Sequence, residues 1–256
     1  MSDSATVVSC YYKIKSKHSH AEYDKWITRF LSTVSCNLVV FTSPDLVEYI
    51  KLKRVNFLTK TVIIAIAFED LYLYREYENL WDAQYKMDIY LHECQGRRTK
   101  ECYILWNSKL HFLKVAIEKN PFLSDKFIWA DIGCLRSNDN NSKILDYYPV
   151  YNRISSNKID IVLMNPINDL NQKIFLNEVH FAGSMFGGHK DVIGKFHDLF
   201  YQRFHEHIQS GIFIGCDQQT ISSVYNENRD LFNCITPTSN LSEEWKWFFM
   251  WIYYSV

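Results

Sequence analysis

Apolar residues in this chain occur either in short unbroken runs or at helical spacing, and the two patterns predict different elements. Residues 7–12, 37–41, 61–67, 126–130, 159–164 and 181–186 are β-branched or aromatic runs and read as strands. From Ala21 onward Tyr23, Trp26, Ile27, Phe30 and Leu31 share one helical face. Residues 72–87 and 192–208 read as further helices, as does a stretch carrying Leu110, Leu113, Ala116 and Ile117. Asn107 is placed to cap that stretch and Asn120-Pro121 to stop it, while Asp45, in the turn Thr42-Ser43-Pro44-Asp45, is placed to cap a helix running to Ile50. A basic loop covers 95–100 and a polar loop 137–143, and a last element begins near Asp217.

Strands alternating with helices predict an α/β fold, with a mostly parallel, Rossmann-like central sheet flanked by helices. No repeat, linker or low-complexity tract divides the chain, so residues 1–256 read as a single domain. Sheets of this kind bind ligands beyond the C-terminal ends of their strands. The aromatic C-terminal segment, 243–256, reads as an element packed over the core. It is too short to span a bilayer and has only Lys246 as a cation. Left exposed it would promote self-association, so a homodimer contact is the alternative, as is a wall on the acceptor side.

Composition narrows the function. Hydrophobic residues are 47% and charged residues 22% of the 256, which suits a folded globular chain. Lys+Arg 28 against Asp+Glu 29 leaves a net charge of -1, and no footprint for nucleic acid or an anionic membrane. The longest clean apolar run, 62–68, predicts no transmembrane segment, and Met1-Ser2-Asp3-Ser4 lacks the features of a signal peptide. Seven cysteines without a CxxC pair read as reduced thiols, so a soluble, cytoplasmic protein is expected.

Dinucleotide, P-loop, HExxH and GxSxG motifs are all absent. What remains is a set of three segments. Residues 127–133 form a buried strand that delivers Asp131 and Gly133 to its exit, where a carboxylate can hold a hard divalent cation against a diphosphate. Lys109, at a helix start, suits a diphosphate cradle. The third, 178–188, brings His180, Gly183, Gly187 and Gly188 as backbone that can approach a sugar, and is followed by Asp217 as a general base. Each has a plain structural alternative: a turn cap for Asp131, a solvated side chain for Lys109, a helix N-cap for Asp217, and a hydrogen-bonded core imidazole for His180.

The order Asn107-Ser108-Lys109, Asn120-Pro121-Phe122, Ser124-Asp125 and Trp129-Ala130-Asp131-Ile132-Gly133-Cys134, then Arg136, resembles the HtrL/YibB family with its WlaTC-like members, from about Val8 to about Phe232. That family resembles the GT-A glycosyltransferases, and a further resemblance is to small glycosyltransferases of large algal viruses. The resemblance implies a GT-A-like domain in which Lys109 meets the donor diphosphate and Asp131 is the first residue of a DxD motif. It also implies that 181–185 form the small-residue strand and that Asp217-Gln218-Gln219 match the later DQD. Gly133 departs from the pattern, since a second Asp is expected there.

The function expected is transfer of a sugar from a nucleotide sugar to a hydroxyl of a glycan acceptor. The donor is a UDP-sugar, with a pentose such as xylose suggested by the viral resemblance. Uridine is expected at Tyr11, Tyr12, Thr42 and Asp45, and the diphosphate at Lys109, Asp131, Gly133 and Arg136. The sugar or acceptor is expected at His180, Gly183, Gly187 and Gly188. Manganese or magnesium is expected on Asp131, and Asp217 is the base of an inverting mechanism, which we favour over a retaining one. A catalytically inactive carbohydrate-binding protein and a nucleotidyltransferase are the alternatives.

Overall fold

The computed structural model describes residues 4–89, 98–136, 147–176 and 178–255. The polar loop at 137–143 and the first part of the basic loop, 95–97, lie outside these residues. Seven strands form one sheet: β1 (Ala5–Tyr11), β2 (Asn37–Thr42), β3 (Thr61–Ala65), β4 (Lys126–Ala130), β5 (Ile159–Leu163), β6 (Phe181–His189) and β7 (Phe232–Ile235). Their order is β3-β2-β1-β4-β6-β5-β7. Every neighbouring pair is parallel except the two that involve β6, which runs antiparallel to β4 and to β5.

The helices are α1 (His20–Thr33), α2 (Val47–Lys53), α3 (Tyr72–Met87), α4 (Lys100–Asn107), α5 (Lys109–Lys119), α6 (Lys190–Gln209), α7 (Asp217–Glu227), α8 (Glu243–Trp247) and α9 (Met250–Tyr253). Side chains of a strand alternate between the two faces of the sheet, so the central runs feed two cores. Val8, Val39, Phe41, Phe127 and Trp129 pack with Phe112 of α5 and Phe196 of α6. Val7, Leu38, Val40, Ile128 and Ala130 pack on the other face with Ile27 and Phe30 of α1. Met250, Trp251 and Tyr254 are buried in this second core, so much of the C-terminal aromatic run covers the sheet. No described helix is long and apolar enough to cross a membrane.

Local details depart from the sequence pattern where tertiary contacts override it. Asn107 ends α4 rather than capping α5, because its amide donates to the carbonyls of Tyr103 (2.9 Å) and Ile214 (3.0 Å). Asp45 lies in a 3-10 turn, and α2 starts at Val47 with no side-chain cap. Strand β7 was not anticipated; it is four residues long and begins Phe-Asn, too short for a period to show.

The direction of β6 decides where its glycines lie. Because it is antiparallel, its first residues meet the C-terminal end of β4, with Met185 opposite Ala130, while Gly187 and Gly188 pair back along β4 with Ile128 and Phe127. A Cβ on Gly188 would lie 2.7 Å from the Lys158 carbonyl oxygen, and one on Gly187 would lie 2.8 Å from that of Phe127. These two glycines allow close backbone packing. Gly188→Ala is expected to lower stability by about 1–3 kcal/mol, as overpacking of a tight interior does. A reduced urea midpoint at unchanged slope is the measurement that checks it.

Candidate active site

The C-terminal ends of β1 and β4 open into a cavity of about 540 Å3. Tyr11, Tyr12, Trp106, Lys109, Asp131 and Trp247 are among its walls. Asp131 is the first residue after β4. Its N–H still bonds across to the Ser184 carbonyl (2.9 Å) while its own carbonyl accepts from Cys134 N (3.0 Å), so the chain turns as it leaves the sheet. Trp129 is buried and stacked on Phe112, and its Nε1–H donates to Asp131 Oδ1 at 2.8 Å. The carboxylate is therefore oriented from below, with its Oδ2 making no hydrogen bond to described residues.

Lys109 opens α5 and is buried, unlike the solvated lysine that its position on an amphipathic helix suggests. Its Nζ donates to the Gly183 carbonyl at 2.8 Å and lies 3.0 Å from Asp217 Oδ2 and 3.4 Å from Asp131 Oδ1. Burial alone would lower the lysine pKa, but the two carboxylates outweigh it and hold the ammonium well above its usual value. Asp217 begins α7, with Oδ1 accepting from Gln218 N at 3.0 Å. Burial raises its pKa and Lys109 only partly offsets that. Its Oδ2 is ion-paired with Lys109 without the alignment of a hydrogen bond. A Cβ on Gly183 would stand 2.9 Å from that oxygen, so a side chain there would push the carboxylate out of its place.

Gly133 is walled by aromatic rings: a Cβ there would lie 3.2 Å from Tyr23 Cε1 and 3.5 Å from Trp26 Cε3. Arg136 follows, its Nε donating to the Gly133 carbonyl at 3.2 Å and its guanidinium 4.5 Å from the Trp26 ring centre and 5.0 Å from that of Phe248.

Tyr11, Tyr12, Lys109, Asp131, Gly133 and Arg136 thus meet at one cavity. Gly183 and Asp217 join them from behind through Lys109. The other sequence candidates lie apart from its walls. Thr42 is buried, its hydroxyl donating to the Tyr11 carbonyl at 2.7 Å, and Asp45 is exposed. His180 is held at 3.0 Å by the Asn165 carbonyl and at 2.7 Å by Glu178. Gly187 and Gly188 lie inside the sheet.

Sequence reasoning passed over Lys13 and Lys17, which line the cavity from the segment between β1 and α1, His20 at the start of α1, and Arg98. Trp247 lines it from the aromatic segment whose alternative readings include a wall on the acceptor side. A signal existed: Lys13-Ile14-Lys15-Ser16-Lys17 leaves the C-terminal end of a central parallel strand, where ligands of such sheets bind. Among the described residues, no group of three His, Cys, Asp or Glu could hold a metal ion.

The architecture matches the solved structure of mouse xyloside xylosyltransferase 1 in its apo form. The match has a TM-score of 0.53 at 11% identity and covers 96% of this chain and 93% of that one. At this identity the likeness is one of fold, and the class it defines is the GT-A-like fold of glycosyltransferases. Within that class the chain belongs to the HtrL_YibB family, described as bacterial protein of unknown function, whose pattern matches residues 4–252. No curated protein matches, and neither of these two matches is to a viral protein.

Lys109 compensates two carboxylates, one of them buried, so losing it leaves Asp217 as an unpaired interior charge. Lys109→Met is expected to cost about 3 kcal/mol, the scale of breaking a buried pair from one side. The double variant Lys109→Met/Asp217→Asn should recover part of that loss, and chemical denaturation of the four proteins in the cycle measures the coupling.

Proposed function

We propose that this protein is a glycosyltransferase that moves a sugar from a UDP-sugar to a glycan hydroxyl. The observation that carries the reading is the Lys109–Asp131–Asp217 cluster at the exit of the central strand, opening onto a cavity large enough for a nucleotide sugar. The GT-A-like fold supports it. Tyr11 and Tyr12 offer aromatic surface for the base. Thr42 acts one step back, by fixing the Tyr11 carbonyl.

One ammonium between two carboxylates leaves the ionised cluster negative, which by itself repels a diphosphate. The donor set fits a hard cation that arrives with the ligand. Asp131 Oδ2 is a single protein oxygen, and magnesium-like ions are commonly held by one or two carboxylates with phosphate oxygens and waters completing the shell. Gly133 has no side chain to contribute, and a Cβ there would meet Tyr23 at 3.2 Å. A bound magnesium or manganese ion would neutralise charge that develops on the leaving diphosphate. Trp129 and Lys109 hold Asp131 in place for that role, and walls that fix both substrates supply much of the remaining acceleration. Asp217 is our nominee for the base of an inverting reaction. In the arrangement described it acts through Lys109, and accepting a proton from the acceptor requires the pair to open.

A thermal-shift series with UDP, GDP, CMP and ADP, each with and without manganese, tests the reading. A ligand that binds the native state alone must raise the melting temperature. The expected result is a shift selective for UDP that grows with manganese and is lost in Asp131→Ala. UDP binding with no turnover on any UDP-sugar and glycan would favour a carbohydrate-binding protein, and no shift with any nucleotide would overturn the transferase.

The base assignment makes a separate prediction. A base must be deprotonated, and Asp217 titrates above its ordinary 3.8, so kcat should rise with pH through that raised value. Asp217→Asn should abolish this acidic limb and lower kcat by about 100-fold or more with donor KM little changed. Wild-type rates in that variant would remove Asp217 from proton transfer.

A further inference from the structure

Charge around the cavity is lopsided. Among the described residues Lys13, Lys17, Arg98, Lys109 and Arg136 line it, against Asp131 as the one carboxylate. The whole chain carries a net charge of -1, so the excess is local. Two of the cations are committed: Lys109 to Asp131 and Asp217, and Arg98 to the buried carboxylate of Asp88 at 3.2 Å. Lys13, Lys17 and Arg136 form no ion pair with any described carboxylate.

We propose that the acceptor glycan seated in this cavity carries an anionic group, a sugar carboxylate or a phosphate ester, and that Arg136 with Lys13 and Lys17 binds it. The proposal rests on the transferase reading for the word acceptor; the anion site itself rests on the cavity. Arg136 is its anchor. Packing between Trp26 and Phe248 and the bond from Nε to the Gly133 carbonyl fix the guanidinium, and its two terminal nitrogens make no hydrogen bond to described residues. A planar fork held in this way matches a carboxylate or phosphate through two parallel bonds and loses little freedom on binding. Lys13 and Lys17 are exposed on the segment leaving β1 and supply a softer attractive field. None of these three cations is drawn into the Lys109–Asp131–Asp217 cluster, so they remain available to a second anion beside the donor's diphosphate. A neutral acceptor pressed against them would desolvate cations without pairing them, and that costs affinity.

Equilibrium binding of three oligosaccharides of equal length tests this: one ending in a uronic acid, one bearing a phosphate monoester and one neutral. Each is titrated calorimetrically into the full chain, with and without saturating UDP and manganese. At least one charged oligosaccharide should bind about 10-fold or more tightly than the neutral one, and whichever does so names the source of the charge. The preference should shrink when ionic strength is raised from about 0.05 M to about 0.3 M. Arg136→Gln, and separately Lys13→Gln/Lys17→Gln on the exposed segment, should reduce it to about 3-fold or less while UDP affinity falls by no more than about 2-fold. Equal affinity for the three oligosaccharides, or no binding of either charged one, overturns the proposal. So does a loss of UDP affinity in the Arg136 variant as large as the loss for the anion, which would return Arg136 to the diphosphate. Failure of the transferase reading looks different: no UDP response, with the preference for a charged oligosaccharide intact.

Discussion

The ammonium of Lys109 is the contact on which the site's arrangement depends. It joins four segments that are far apart in the chain: the start of α5, the exit of β4, the first residues of β6 and the first turn of α7. Buried charge is costly unless fully compensated, and the compensation here comes from a carbonyl and two carboxylates at once. The surrounding backbone is fitted to it. Gly183 gives up its side chain so that Asp217 can approach, and Trp129 spends its N–H on the oxygen of Asp131 nearest to the ammonium.

The antiparallel run of β6 makes that meeting geometrically feasible. If β6 ran with its neighbours, its small residues at 182–184 would lie at the far end of the sheet from Asp131. Reversed, they sit beside the strand exit, and the later Gly-Gly pair is left to pack against β4 and the Lys158 carbonyl. One glycine-rich strand therefore serves the site at one end and sheet packing at the other.

Two layers of charge result. In the inner layer Lys109 is committed to two protein carboxylates, one positive charge set against two negative ones, and Asp131 lines the cavity. The outer layer consists of cations that form no ion pair with a described carboxylate, carried by the segment after β1 and by Arg136 against its aromatic supports.

The alternation of runs and helical spacings, read without coordinates, was enough for the α/β class, six of the seven strands and the strand exit at Asp131. Continuous apolar runs such as Phe127-Ile128-Trp129-Ala130 can be buried on both faces only inside a covered sheet. The likeness of 107–136 to a known family also pointed to Lys109 and Asp131. Partners could not be read in this way, because they come from residues distant in the chain. That Lys109 is buried, that Asp217 is its counter-ion rather than an open carboxylate, and that Gly187 and Gly188 serve packing all follow from the reversed β6. Local patterns report how a residue suits its own element. Strand direction, and with it which charges meet, is decided only when the sheet closes, since a run such as 181–189 has the same period in either orientation.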